Sequence, residues 1–227
     1  MNIDSDSIDY AIESNKVLTV TSYTYLGMER DYIDNVLRKY LRQVGMHALM
    51  NNISYCIHEV AGNAHKANLK RLYFEMKDLD INDPREYELG MEQFKQEALQ
   101  HPEKYTDSHK ERGYYIKFHF QIDGPVFKTV VRNNVPLTFQ ERERIERKIE
   151  IARYASNLAD VYTVSEDYTE GAGLGIVMLH VILKNLGFNG DSFRIYTKNE
   201  ETIAFLSLDI TNTEQLERTY TKLMMVH

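Results

Sequence analysis

The stretch that decides the fold reads HEVAGNAHKAN and spans residues 58–68. Residues three, four or seven positions apart share one face of an α-helix, so Glu59, Asn63 and Lys66 line up on one side. The opposite side is apolar, with Met50, Ile53, Ile57, Val60, Ala61 and Ala64. The pattern predicts an amphipathic helix that presents an acid, an amide and a base together.

A glycine-rich turn, EGAGLGI, occupies residues 170–176 and leads into an apolar helix predicted to end near Leu186. Gly171, Gly173 and Gly175 stand at alternate positions, where they would let the backbone approach a phosphate closely. The helix that follows offers N–H groups and the positive end of its dipole. Alone the turn is a weak signal, because it lacks the lysine of a P-loop and follows no clear strand.

Outward from these two segments, hydrophobic periodicity predicts strands alternating with helices. The strands are expected at 17–23, in a hairpin of 114–121 and 126–132, and in a closing hairpin of 192–198 and 202–208; further helices are expected from Asp31 to about Gly45 and from Thr138 to about Leu158. Sequential hairpins interleaved with helices favour an α+β fold, a two-layer sandwich of a mixed, mostly antiparallel sheet with helices on one face.

A polar segment at 76–112 interrupts this order. Asp83, Pro84 and Glu86 form a helix start, and a modest apolar stripe follows as far as Leu99. The segment is too small for a core of its own, so the chain is predicted to be a single domain, residues 1–227, with a helical insertion. The stripe would either dock a partner or cover the domain's own sheet or lid.

Composition narrows the function classes. The chain of 227 residues has a net charge of -7, which argues against a general nucleic-acid surface. The single cysteine, Cys56, excludes an intramolecular disulfide and is expected to be a packed thiol in a reducing compartment. Neither a secretory signal nor an apolar run of membrane-spanning length is recognisable. We therefore expect a cytoplasmic protein that uses neither membrane nor nucleic acid.

The chemistry of the Glu59 face suits a metal-bound phosphate. The Asn63 amide oxygen is a hard, neutral ligand for Mg²⁺, and the Glu59 carboxylate can polarise a water or hydroxyl. Lys66 supplies positive charge to phosphate oxygens. The plain alternative is a solvated helix face. A zinc site is disfavoured because His58 and His65 are seven residues apart, without the His-Glu-x-x-His spacing.

In this order the two segments resemble the motifs of the gyrase, heat-shock chaperone, histidine kinase and mismatch-repair (GHKL) ATPase superfamily. The resemblance covers about residues 15–210, outside the insertion, and implies a Bergerat-type ATP-binding fold with ATP and Mg²⁺ as ligands. By this resemblance Glu59 is the catalytic base, Asn63 holds Mg²⁺ and Lys66 contacts phosphate. Gly171, Gly173, Leu174 and Gly175 match the second glycine box, residues 138–170 occupy the place of the ATP lid, and Thr202 lies on the adenine side.

The first glycine box departs from the family pattern of Asp-x-Gly-x-Gly. Asn133 stands where the family's aspartate accepts a hydrogen bond from the adenine amino group, and an amide oxygen could accept that bond without charge. Val135 and Leu137 replace the two glycines. We expect this departure to affect the adenine end of the site more than the phosphate end.

The layout is most similar to histidine kinase-like ATP-binding domains and to anti-sigma-factor serine kinases. It predicts a stand-alone ATP-dependent protein serine/threonine kinase or regulatory switch with a regulatory protein partner, and leaves a homodimer open. Two alternatives stay open as well. One is a catalytically degenerate nucleotide-sensing module, and the other is a histidine kinase catalytic domain acting on a partner chain.

Overall fold

The computed structural model describes residues 5–154 and 174–211. Its helices are α1 (Ser5–Glu13), α2 (Gly27–Gln43), α3 (Met50–Met76), α4 (Pro84–Glu97), α5 (Thr106–Glu111), α6 (Phe139–Tyr154) and α7 (Leu174–Asn185). Its strands are β1 (Leu18–Ser22), β2 (Ile116–Asp123), β3 (Val126–Asn133), β4 (Phe193–Lys198) and β5 (Glu201–Asp209). Short 3-10 turns lie at His47–Leu49, Pro102–Tyr105 and Gly190–Ser192.

The five strands form one sheet in the order β1-β2-β3-β5-β4. Each neighbouring pair is antiparallel, so the expectation of a mixed sheet was wrong for the described strands. Tight turns join β2 to β3 and β4 to β5, and a chain that reverses over two residues must pair antiparallel. At the second turn Asn199 and Glu200 both have positive φ, 52° and 60°, which matches a hairpin turn that follows the twist of the strands.

Burial alternates along the strands, so one face of the sheet is packed and the other is partly open. In β3, for example, Phe127, Thr129 and Val131 are buried while their neighbours are only half-buried. The packed face meets residues of α1, α2, α3 and α7 in one continuous apolar core. This arrangement confirms the predicted α+β class with sheet and helices in two layers.

The central helix, α3, is 27 residues long. Its first part packs on the sheet through Ile53, Ile57 and Ala61. Its second part runs past the sheet, where the aromatic residues Tyr73 and Phe74 pack against the insertion. One helix therefore connects the core of the sandwich with the segment predicted to be an insertion.

The insertion helix α4 begins as predicted, because the Asp83 side chain accepts hydrogen bonds from the backbone N–H groups of Arg85 and Glu86. Its apolar stripe turns inward, with Phe94 and Ala98 buried against α3. Of the two uses considered for the stripe, the structure therefore favours covering the domain itself, although what it covers is α3 and not the sheet.

The charged helix α6 begins at the predicted capping box. Thr138 N donates to Glu141 Oε2 and Glu141 N donates to Thr138 Oγ1, at 2.9 and 3.2 Å. The helix lies along α7, with Ala152 packed against Val177 and Val181. The predicted continuation to Leu158 lies outside the described residues.

The apolar helix α7 ends at a predicted glycine. Gly187 has a φ of 89°, a left-handed conformation that glycine adopts without steric cost. Over the part of the chain that is described, no helix combines the length and apolar character needed to cross a bilayer.

Candidate functional site

Three of the predicted site residues lie together where α3 meets the start of α7. The Asn63 side-chain Nδ2 donates a 3.0 Å hydrogen bond to Glu59 Oε1. A Cβ atom added to Gly175 would lie 2.6 Å from Glu59 Cγ and closer still to the carboxyl group. The glutamate therefore keeps its place only because residue 175 has no side chain, and the polar face of α3 meets Gly175 of α7 at this carboxylate.

The hydrogen bond between the two side chains also orients the amide. Since Asn63 Nδ2 faces Glu59, its Oδ1 is the end left to accept a donor or bind a cation. A carboxylate and a carboxamide oxygen one helical turn apart are hard ligands of the kind that Mg²⁺ binds. Lys66 is exposed on the same stripe. Leu174 is half-buried and packs beside Val177, whereas Gly171 and Gly173 lie outside the described residues.

The two predicted adenine-side residues are neighbours in the sheet. Asn133 at the end of β3 pairs with Thr202 near the start of β5. Both are buried on the packed face, with exposed fractions of 2% and 8%. Thr202 Oγ1 donates a 2.7 Å hydrogen bond to the backbone carbonyl of Val135, and this contact lies in the segment that departs from the first glycine box.

Asn133 is held by a residue to which sequence reasoning assigned no role. Its Nδ2 donates to Asn68 Oδ1 at 2.9 Å, and Asn68 Nδ2 donates to the Tyr115 carbonyl at 3.0 Å. A backbone carbonyl can only accept, so it fixes the orientation of the first amide and, through it, of the second. The signal for Asn68 was present, because it is a polar residue on the otherwise apolar side of the helix.

Along α3 these contacts fall in order. Asn68 lies five residues beyond Asn63, which corresponds to about 7.5 Å at the helical rise. Glu59 and Asn63, predicted to lie on the phosphate side, are therefore more than one helical turn from Asn68. Asn68 is the residue of α3 that holds Asn133, predicted to lie on the adenine side. The structure brings each pair together.

A network of polar side chains anchors the first part of α3 to α2. Ser54 Oγ donates to Asp34 Oδ1 at 2.5 Å, and His58 Nε2 lies 2.9 Å from the same oxygen. Tyr25 Oη lies 2.5 Å from His58 Nδ1. With Nε2 protonated and bonded to the carboxylate, Nδ1 is the acceptor for the tyrosine hydroxyl. Because His58 precedes Glu59, this network helps to fix the rotation of α3 that places Glu59 opposite Gly175.

Burial raises the pKa of Tyr25 well above its usual range, so its hydroxyl stays protonated and able to donate. Burial likewise raises the pKa of the Cys56 thiol to about 12. The thiol is therefore neutral at physiological pH and is a packed side chain, as predicted, without nucleophilic character.

His65 of α3 and His109 of α5 form a buried pair. The rings of His65 and His109 are 5.4 Å apart between centroids, and both residues are buried. Burial, with a smaller contribution from His109, lowers the pKa of His65 to about 4. Within residues 5–154 and 174–211, neither ring nitrogen of His65 has a hydrogen-bond partner. The pair is therefore neutral at physiological pH.

Near the end of α3, Lys70 and Arg71 pair with Glu141 at the start of α6. Arg71 Nη2 donates to Glu141 Oε2 at 2.6 Å and to the Pro136 carbonyl at 2.9 Å. Their partner is about seventy positions away in sequence, which is why sequence reasoning identified Glu141 only as a cap. The contact ties the first turn of the predicted lid region to the helix that carries Glu59.

No protein-family model matches the chain, and no solved structure matches it. The chain is 36% identical over 203 residues to an uncharacterized protein of Treponema pallidum (strain Nichols). The match covers 89% of this chain and 39% of the relative, so the chain spans about two-fifths of the length of that longer protein.

Proposed function

We propose that this chain binds a magnesium nucleoside triphosphate, ATP by the resemblance of its motifs, along α3 and against the start of α7. The observation that carries the proposal is the contact of Glu59 with Gly175. A close approach of a carboxylate to a glycine at a helix start brings a proton acceptor beside backbone N–H groups that favour phosphate. Neither segment alone would support the proposal as well as their contact does.

Each site residue has a role that its place permits. Glu59 polarises the attacking water or hydroxyl, and Asn63 presents its amide oxygen to Mg²⁺. Lys66, exposed on the same face, neutralises phosphate charge. The backbone of Gly171, Gly173, Leu174 and Gly175 would wrap the phosphates. The metal supplies charge neutralisation of the triphosphate when bound.

The two-layer architecture supports the finer proposal of a Bergerat-type ATP-binding fold. The strand order places Asn133 beside Thr202 in the sheet, and α3 lies across from both. On the resemblance to anti-sigma-factor serine kinases, we assign the activity to phosphoryl transfer onto a protein serine or threonine, with a regulatory protein as partner. A nucleotide-dependent regulatory switch uses the same site without the transfer.

A second candidate function is favoured by the adenine end. There Asn133 is buried and its Nδ2 is used by Asn68, while Val135 and Leu137 stand in place of glycines. A site with so little backbone freedom around the base is suited to sensing a nucleotide without rapid turnover. This candidate is a catalytically degenerate nucleotide-sensing module that interacts with another protein.

Calorimetric titration with ATP, with and without Mg²⁺, tests the shared part of both candidates. We expect magnesium-dependent binding that Asn63→Ala weakens at least about tenfold, since it removes a charge-assisted contact. Asn51→Ala is the matched control, because Asn51 is exposed in the first turn of the same helix. Absence of binding to the wild type, or equal binding by wild type and Asn63→Ala, would overturn the proposal.

Turnover separates the two candidates. Phosphate release or phosphotransfer by the wild type that Glu59→Ala abolishes would establish the enzyme. Binding without turnover, with equal affinity in Glu59→Ala and wild type, would establish the sensing module instead.

A further inference from the structure

The amide of Asn133 carries an acceptor oxygen that no described residue uses. Its Nδ2 donates to Asn68 Oδ1 at 2.9 Å, whereas no hydrogen bond within residues 5–154 and 174–211 reaches its Oδ1. Asn133 is only 2% exposed, and Asn68 is fully buried. Buried polar groups in folded proteins are nearly always hydrogen-bonded. The Asn133 oxygen is therefore available to a donor from outside the described chain.

The orientation of this acceptor is set at the other end of the amide pair. Asn68 Nδ2 donates to the Tyr115 carbonyl at 3.0 Å, and a carbonyl can only accept. Tyr115 is itself held just before β2, because its backbone N–H donates to Asn134 Oδ1 at 2.8 Å. Turning Asn133 alone would bring two acceptor oxygens together, and turning both amides would bring Asn68 Oδ1 against the carbonyl. Because either turn leaves buried polar groups unsatisfied, the Asn133 amide is fixed.

A fixed carboxamide differs from a free one in what it can recognise. An amide that can turn presents its NH2 group to a carbonyl oxygen as readily as it presents its oxygen to an amino group. A carboxylate presents acceptors only, and it needs no such orientation. With Asn68 in place, Asn133 recognises donors as a carboxylate would, and it does so without the cost of a buried charge.

The acceptor lies within reach of a nucleotide bound at the proposed site, and the inference rests on that proposed function. Asn68 is about 7.5 Å from Asn63 along α3. Asn133 lies beside Thr202 in the sheet, and both residues are buried on its packed face. In a nucleoside triphosphate whose phosphates bind at Asn63 and Gly175, the ribose separates the base from the phosphates. The base can therefore lie more than one helical turn from the metal.

We propose that Asn68 is a positioning residue for base selection, which holds Asn133 as an acceptor so that the site selects a base with an exocyclic amino group. Adenine offers that donor, whereas hypoxanthine and guanine carry a carbonyl oxygen at the same ring position. A carbonyl there would face the Asn133 oxygen, and two opposed acceptors in a buried site are both left without a donor. Asn68 does not contact the ligand and acts only through Asn133.

The affinities for ATP and for inosine triphosphate (ITP), measured by calorimetry with Mg²⁺, test the inference. The two nucleotides share the ribose and the triphosphate, and ITP carries a carbonyl oxygen in place of the adenine amino group. We expect the wild type to bind ATP at least about tenfold more tightly than ITP, the factor that corresponds to one lost hydrogen bond in a buried site. Asn68→Leu should bring the two affinities to within about threefold, because the Asn133 amide can then turn.

Two further variants separate the orientation of the amide from the stability of the fold. Asn68→Asp still presents an oxygen to Asn133 Nδ2, so it should keep the preference for ATP even though the fold is less stable. Asn134→Leu is the matched control, because the Asn134 amide bonds the Tyr115 N–H and the Gly113 carbonyl and does not contact Asn133. It should also keep the preference. An equal loss of preference in all three variants would assign the effect to stability and overturn the inference.

A double variant supplies the test if Asn68→Leu does not fold. In Asn68→Thr with Asn133→Asp, the threonine hydroxyl offers a donor to the carboxylate, and the carboxylate can only accept. This protein should prefer ATP over ITP by at least the wild-type factor. Equal affinities for the two nucleotides would contradict the inference, because an acceptor would then be present without selecting the amino group.

A measurement without nucleotide separates failure of the inference from failure of the proposed function. The side-chain NH2 protons of Asn133, observed by NMR, should be protected from exchange in the wild type and in Asn68→Asp and unprotected in Asn68→Leu. Unprotected protons in the wild type would contradict the fixed orientation. Protected protons with no binding of either nucleotide would overturn the proposed function and this inference with it. Equal binding of ATP and ITP by the wild type would overturn the inference alone.

Discussion

Gly175→Ala separates the position of the Glu59 carboxylate from the stability of the fold. The new Cβ atom would lie 2.6 Å from Glu59 Cγ, whereas ordinary contact begins at 3.4 Å, so this carbon must move by about 0.8 Å. The carboxyl group, which is closer, must move further. The nearest atoms that the new Cβ meets all belong to this one flexible side chain, so the backbone can stay in place.

The expected effects on stability nearly cancel. Moving the carboxylate breaks its hydrogen bond with Asn63, which costs about 1 kcal/mol. Alanine stabilises a helix by up to about 1 kcal/mol relative to glycine. Urea denaturation should therefore give a free energy of unfolding within about 1 kcal/mol of the wild type. By contrast, a displacement of about 1 Å at a reacting group can lower the rate about 100-fold, so turnover should fall by that order.

The assay is phosphate release or phosphotransfer, measured beside urea denaturation on the same preparation. Gly62→Ala is the control for helix propensity, because a Cβ at Gly62 meets nothing within 4 Å, and it should raise the free energy of unfolding by up to about 1 kcal/mol. A Gly175→Ala protein that keeps full turnover, with unchanged NMR signals for the Asn63 amide, would refute the contact between α7 and Glu59. A loss of more than about 2 kcal/mol of stability would show that the backbone, and not the side chain, has to move.

Three further predictions concern the buried polar groups. Thr129 Oγ1 is buried and has no hydrogen-bond partner among the described residues, so Thr129→Val should raise the free energy of unfolding by about 1 kcal/mol in urea denaturation. A decrease of similar size in that free energy would mean that a water molecule in the adjoining cavity of about 10 Å³ satisfies the hydroxyl. His65, with a pKa lowered from 6.5 to about 4, takes up a proton more readily when unfolded, so stability should be greatest above pH 6.5 and fall by about 3 kcal/mol as the pH decreases to 4. His65→Phe should flatten that slope in denaturation curves collected from pH 4 to 7, and an unchanged slope would assign the loss to other groups. Asn133→Asp places a buried carboxylate against Asn68 Oδ1, so it should cost about 2 kcal/mol or more at pH 7; unchanged stability would mean that the Asn68 amide has the opposite orientation.

Local signals in the sequence were sufficient to predict most of the helices and strands. The strands, the hairpin turns and the cap at Asp83 follow from alternation, turn residues and side-chain caps that act over a few positions. The antiparallel pairing of every described strand was harder to predict, because the neighbour of β3 is β5, more than sixty residues later. Pairing over that distance depends on the whole core and not on a local pattern.

Only the parts of the candidate site that depend on local patterns could be predicted from the sequence. Helical spacing alone placed Glu59, Asn63 and Lys66 on one face, and glycines mark a close approach of the backbone. The amide pair of Asn68 and Asn133 joins two elements that periodicity treats separately. A polar residue on an apolar stripe shows that a partner is required, but it does not say which one.

The continuity of α3 has a mechanical consequence. One uninterrupted helix of about 40 Å bears Glu59 toward one end and Lys70 toward the other, and a hydrogen-bonded rod of this kind transmits tilt and rotation with little loss. A change in the Glu141 ion pairs at the Lys70 end would therefore alter the placement of Glu59 and Asn63, and thermodynamic linkage requires the coupling to be the same in both directions. Comparing the ATP affinity of Glu141→Gln with that of the wild type would measure this coupling directly.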